Sequence, residues 1–233
     1  MSQLKNIAMF FMLIDHLAYV MIERGIGLSG NWYLIDRIMR GMGRLAFPIF
    51  CFTIVEGFQR THDVRAYRNR LLKFALISEI PFDLAFRGTP VSLNYQNVFW
   101  TLAFGMELLI LYEDRWMPAW KRGMGIVLCV FLPTILHTDY SCYGVMAIFF
   151  MYLLRSQPVF MCLAGYTVLL LQSTQEVWAV VGFLLILMYN GQRGYGNKKF
   201  YYWFYPVHLL LLVWAKPYIL SLFSSFLATS VLI

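Results

Sequence analysis

The sequence predicts an all-α fold: a polytopic transmembrane helical bundle of about nine spans, forming a single integral-membrane domain over residues 1–233. Three observations predict it. Composition comes first: 60% of the residues are hydrophobic and 13% are charged, with a mean hydropathy of +0.62. Soluble domains are about 45–50% apolar and about 25% charged, so a soluble enzyme, a disordered chain and a small disulfide scaffold are excluded. Second, runs such as Ile7–Ile14 and Val181–Met188 are apolar on every face. Only helices or closed barrels satisfy their backbone in lipid, and barrel strands alternate apolar with polar residues. Third, the basic residues fall between the apolar runs and are shared unequally between alternate loops.

The first span, 4–22, carries Asp15 and His16 midway along. It lacks a small-residue cleavage site and is expected to be retained rather than removed as a signal peptide. Residues 31–41 read as an amphipathic helix leading into the second span, 42–58, which opens on Gly43-Arg-Leu-Ala-Phe-Pro-Ile-Phe50. Arg37, Arg40 and Arg44 are spaced three and four apart, on one helix face. They read either as a solvated surface or as a basic lining for an anionic ligand. Glu56 is expected to pair with Arg60 one turn on. The third span, 71–86, places Glu79 and Asp83 at i,i+4, where two carboxylates repel unless one is protonated or a cation lies between them. Pro81 between them bends the helix and frees a carbonyl. Asn94, Gln96 and Asn97 read as an external cap on the fourth span, 98–112, whose Glu107 has no evident partner. Four shorter runs follow: 124–137, 141–154, 159–172 and 177–190. A perpendicular span takes about 17–25 residues, so eight to ten crossings fit the sequence. His137 and Asp139 fall on a loop and read as surface residues. The last span, 200–222, opens on an aromatic cluster and carries His208. The four cysteines have no CxxC or metal-ligand spacing and read as core residues; no metal is expected.

Lys5, Arg60, Arg65, Arg68, Arg70, Lys73, Arg115, Lys121, Arg122, Arg155, Arg193, Lys198 and Lys199 fall on one side of this topology; Arg24, Arg37, Arg40, Arg44, Arg87 and Lys216 fall on the other. The positive-inside rule places the N-terminus in the cytoplasm. The net charge of +7 is thus a topology signal. No module that reads nucleic acid accompanies it, so nucleic acid is not expected as a partner.

Ionisable groups inside spans are costly and mark functional sites. At 1.5 Å per residue, His16 lies roughly 16 Å beyond Lys5, His208 roughly 14 Å beyond Lys199, and Asp83 roughly 15 Å beyond Lys73. Three titratable side chains from three helices are therefore expected at one depth. Asp15 and His16 point about 100° apart, so each needs its own partner.

Several segments, in order, resemble the TraX family of inner-membrane proteins: Lys5-Asn-Ile-Ala with Met12-Leu-Ile-Asp-His16, Gly43–Phe50 with Glu56-Gly57, Arg70-Leu-Leu with Ile77-Ser-Glu-Ile-Pro-Phe-Asp83, Asn97-Val-Phe-Trp-Thr-Leu102, and Lys199-Phe-Tyr with Tyr205-Pro-Val-His208. The family is named for a conjugation protein that acetylates the N-terminus of pilin. It is similar to a broader membrane acyltransferase group in which a first-helix histidine is the proposed base; His16 is the matching position. The arginine that precedes that histidine in the broader group is absent here. The resemblance implies a bacterial inner-membrane acetyltransferase using acetyl-CoA from the cytoplasm, with a protein N-terminus or a glycan as acceptor. It implies His16 as base, with Asp15 and His208 beside it. Asp15 or Asp83 would orient the ring, and His208 or Arg44 would hold the oxyanion. Arg70, Lys73 and Lys199 would attract the CoA phosphates, and Glu56 and Tyr205 would line the substrate site. Direct transfer and an acetyl-histidine intermediate are both open. A proton-coupled transporter, or a non-catalytic assembly factor of a conjugation or secretion system, would use the same buried groups differently.

Overall fold

The computed structural model describes residues 1–192 and 194–230; Arg193 and the Lys198 side chain lie outside the described residues. The described residues form ten α-helices and no β-strand. In order they are α1 (Ser2–Leu17), α2 (Asn31–Gly43), α3 (Ala46–Arg60), α4 (Val64–Phe86), α5 (Val98–Glu113), α6 (Ala119–Ile135), α7 (Ser141–Leu153), α8 (Pro158–Gln172), α9 (Ala179–Leu187) and α10 (Lys198–Ser230). α1 runs on into a π-helical stretch, Ala18–Ile26, that stops at Gly27 with φ of 96°. A 3₁₀ turn, Thr174–Trp178, precedes α9. Apart from α2, the amphipathic helix expected at 31–41, each helix answers to one apolar run of the sequence.

Local chemistry sets the boundaries. Asp63 caps α4 by accepting the Ala66 N–H at 2.7 Å, and Asn97 caps α5 by accepting the Phe99 N–H at 3.0 Å, each relieving an orphan donor. Pro158 opens α8, where its missing N–H costs nothing. α5 is the hub. It packs against α3, α4, α6 and α7, and Met106, Leu108 and Leu109 are fully buried. The outer surface is apolar too: Leu76, Phe131, Ile135, Leu171 and Trp214 are largely exposed. Three helical stretches, Ser2–Ile26, Asn31–Arg60 and Lys199–Leu222, are long and apolar enough to cross a membrane; Ser141–Leu153, Pro158–Gln172 and Thr174–Leu187 are shorter and apolar.

Two features position the site. α10 packs against α4, α1 and the π-helical stretch, which lays His208 beside His16. The 87–97 segment folds back along α4 instead of staying at its end. Asn97 is fully buried, and its side-chain amide donates to the Ala75 carbonyl at 2.8 Å. α5 therefore begins halfway along α4, inside the protein. The cap expected at Asn97 is present, but it is internal rather than external.

Candidate active site

His16 on α1 and His208 on α10 are both buried, and His16 Nδ1 lies 2.7 Å from His208 Nε2. His208 Nδ1 lies 2.6 Å from the Phe204 carbonyl one turn earlier. A carbonyl only accepts, so His208 carries its proton on Nδ1. Its Nε2 must then accept, and His16 Nδ1–H donates. In the neutral pair the remaining lone pair belongs to His16 Nε2. A backbone carbonyl thus sets the tautomer of both rings. The rings are parallel within 3° at a centroid distance of 5.0 Å. Phe86 meets His16 edge-on at 5.4 Å. Tyr205 meets His16 at 5.8 Å and His208 at 5.7 Å.

A cavity of about 900 Å³ is lined at one end by Tyr205, whose ring packs on this pair; the histidines themselves lie behind the lining. Its mouth lies where the N-terminus, the turn between α3 and α4 and the 194–199 segment meet, and Lys5, Arg60, Arg70, Lys73 and Lys199 line it. Glu56 also lines it and binds Arg60 at 2.7 Å, the i,i+4 pair expected. Among the described residues Arg70, Lys73 and Lys199 form no salt bridge. Arg70 lies over the Tyr67 ring at 5.6 Å. Deeper in, the walls become aromatic and apolar, and Met12, Phe99 and Tyr205 form the end nearest the histidines. The volume falls in the range of about 300–1,000 Å³ usual for ligand pockets.

On another face of α1, beside α2 and the start of α3, stands a different cluster. Asp15 accepts from Arg40 at 2.8 Å. Arg44 donates to the Tyr140 hydroxyl at 3.1 Å and lies 3.5 Å from Glu176. The Tyr95 hydroxyl donates to Asp139 at 2.7 Å. Gly43 makes the packing possible: a Cβ there would collide with Asp15. The pairing is incomplete, because Asp15 Oδ1, Arg44 Nε and Glu176 Oε2 are buried with no partner among the described residues.

Of the residues singled out in the sequence, Glu56, Arg70, Lys73, Lys199 and Tyr205 line the cavity, and His16 and His208 lie together behind Tyr205. Several expectations are corrected. Asp15 does not orient the His16 ring; adjacent helical positions diverge, and its carboxylate goes to Arg40. Asp83 does not join the histidines: its partner is the Ser92 N–H at 2.6 Å, past the bend of α4. Glu79 turns away from Asp83: its Oε1 accepts from Asn97 and from Trp100 Nε1 at 2.8 Å at the start of α5, and its Oε2 is buried with no partner among the described residues. Arg44 lies outside the cavity, and Arg37 is exposed while Arg40 and Arg44 turn inward. Nor is His208 free to hold an oxyanion, because both its nitrogens are engaged. Glu107 has a partner after all, Arg68 at 2.6 Å.

Sequence reasoning missed Glu176, only 1% exposed. It sits in a short polar break between two apolar runs, and nothing in that pattern says it faces inward. Asp139 was read as a surface residue, yet it faces Tyr95, and burial pushes its carboxyl above the ordinary carboxylate range. Among the described residues no three His, Cys, Asp or Glu side chains gather as metal ligands.

A family model described as TraX protein matches residues 1–215. The chain belongs to the TraX family. This TraX chain is also similar to a protein of Dichelobacter nodosus named as a probable fimbrial assembly protein, FimC of serogroup H1. The two are 29% identical over 245 positions, covering 93% of this chain and 96% of the relative. No solved structure matches this TraX chain.

Proposed function

We propose that this TraX chain is a bacterial inner-membrane protein of about nine spans, with its N-terminus in the cytoplasm, that transfers the acetyl group of cytoplasmic acetyl-CoA to an amine or hydroxyl acceptor at or across the membrane. One observation carries the reading: a cavity with a basic mouth ends on a tyrosine packed against a hydrogen-bonded histidine pair whose remaining lone pair is on His16.

The apolar outer surface and the apolar helices support the membrane setting. α7, α8 and α9, of 13, 15 and 9 residues, are short for a perpendicular crossing. At the mouth, Arg70, Lys73 and Lys199 attract phosphate groups with little competition from carboxylates. The narrowing aromatic walls suit the uncharged arm that carries the thioester. A thioester is already activated, so the enzyme must position the acceptor and remove its proton. His16 Nε2 takes that proton. The resulting imidazolium keeps its Nδ1–H on His208 Nε2, and His208 in turn holds the Phe204 carbonyl. The carbon–sulfur bond breaks, CoA leaves as thiolate, and the proton passes from His16 to sulfur. His208 does here, as a neutral acceptor, what a carboxylate does in a serine-protease triad. The likeness to a protein named for fimbrial assembly favours a fimbrial or pilus subunit as acceptor.

The test follows free thiol from acetyl-CoA with purified protein in detergent and hydroxylamine as a small acceptor. His16→Gln should abolish turnover while the protein still binds CoA. Full thiol release by a folded His16→Gln protein contradicts the assignment. Radiolabelled acetyl retained on the protein without acceptor would replace direct transfer by a covalent route.

A further inference from the structure

We propose that Tyr205 is a catalytic residue, its hydroxyl donating the hydrogen bond that holds the thioester carbonyl oxygen as it becomes an oxyanion. This rests on the acetyl-transfer reading above and supplies a group that reading lacks. Attack on the thioester carbon drives an electron pair onto oxygen. A donor fixed in advance at that position lowers the barrier, and removing one such donor costs about 10²–10³ in rate.

The geometry leaves few donors. His16 gives its Nδ1–H to His208 and uses Nε2 to take the proton, while His208 gives its own N–H to Phe204. Phe86 and Phe204, the other rings against the pair, have no polar hydrogen. Arg40 and Arg44 are engaged with Asp15, Tyr140 and Glu176 outside the cavity. Tyr205 both lines the cavity and packs on the two imidazoles, and it is 3% exposed, so its ring is held.

Tyr205 meets the start of α5: its ring packs edge-on against Phe99 at 5.2 Å. Val98 also lines the cavity. α5 starts inside the protein because Asn97 is tied to Ala75 and Glu79 of α4, and the partial positive charge of a helix N-terminus favours a developing anion. The step balances: the acceptor lone pair bonds to the thioester carbon, the carbonyl π pair moves to oxygen under Tyr205, and the acceptor proton goes to His16. Collapse then breaks the carbon–sulfur bond, and the thiolate takes the proton back from His16.

The experiment is steady-state thiol release by purified Tyr205→Phe and His16→Gln proteins, with acetyl-CoA and hydroxylamine, alongside equilibrium binding of CoA. Tyr205→Phe should lower kcat about 10²–10³-fold with KM for acetyl-CoA changed less than about 3-fold and CoA binding intact. A kcat within about 3-fold of the parent, where His16→Gln is inactive, overturns the role of Tyr205 and leaves His16 standing. If His16→Gln turns over normally, the acetyl-transfer reading falls and this one with it. Should Tyr205→Phe not fold, replacement of Tyr205 by 3-fluorotyrosine decides: it keeps the ring and the hydroxyl but ionises at lower pH, so kcat should fall at a lower pH than in the parent, and superimposable pH profiles overturn the proposal.

Discussion

The two ends of the histidine pair are built on opposite principles. On one side of the pair lies an open cavity of about 900 Å³, where Arg70, Lys73 and Lys199 form no salt bridge among the described residues. On another lies a tight knot of arginines and carboxylates, Asp15–Arg40 and Arg44–Glu176, packed so closely that Gly43 has no room for a side chain. Uncompensated charge around empty volume is costly without a ligand, whereas compensated charge holds helices in register. On the proposed function, the contrast separates residues that would bind the co-substrate from residues that hold the bundle, although both sets were equally conspicuous as charges in an apolar sequence.

The largest expected effect lies at the junction. His208→Ala leaves His16 Nδ1–H without its acceptor and frees the ring to change tautomer; kcat should fall about 10²–10⁴-fold, with CoA binding preserved in a calorimetric titration. A fall in binding instead of kcat would place His208 in the cavity rather than behind His16. Next comes the knot. Arg44→Ala strands the buried Glu176 and the Tyr140 hydroxyl, and loss of one partner of a buried pair costs about 3–5 kcal/mol; with a fifth of the Arg44 side chain exposed, about 2–3 kcal/mol is expected in denaturant unfolding. Glu176→Gln in the same chain should restore part of it. The cavity should answer differently. Arg70→Glu with Lys73→Glu should raise KM for acetyl-CoA about 10- to 100-fold at low salt and leave unfolding nearly unchanged, and the parent KM should rise with ionic strength. A stability loss there equal to that of Arg44→Ala would erase the distinction.

How much of this was legible follows from what each residue type reports. Counting helical rise from Lys5 and Lys199 brought His16 and His208 to one level, because both helices start beside the cavity mouth and continue unbroken to that point. The same count failed for Asp83. Pro81 intervenes, and the polar 87–97 segment, which reads as an outside loop, instead turns inward to start α5. Depth can be counted along a helix; a fold-back of the connecting segment leaves no periodic trace. Arg70, Lys73 and Lys199 were legible as charges but served two readings, topology and ligand, until the cavity joined them. Glu176 and the Phe204 carbonyl were invisible for opposite reasons, one hidden in a polar break and the other in the backbone.

The smallest expected effect is a pH dependence in the knot. Burial holds the Asp139 carboxyl above its ordinary value, so the folded state binds its proton more tightly than the unfolded chain does. Its contribution to stability is present below the ordinary carboxylate value and is lost as pH rises through the raised one. Asp139→Asn should therefore flatten the loss of stability with rising pH over that window, read by unfolding at a series of pH values. An identical slope in both proteins would mean that the Asp139 proton is not linked to folding.

The most direct test of the central claim is a structure determined with CoA bound. Density should place the phosphates among Arg70, Lys73 and Lys199 and bring the sulfur to the end of the cavity at Met12 and Tyr205, facing His16. CoA density in the shallow apolar groove lined by Phe10, Leu45 and Val181, or a sulfur held at the mouth far from the histidine pair, would contradict it.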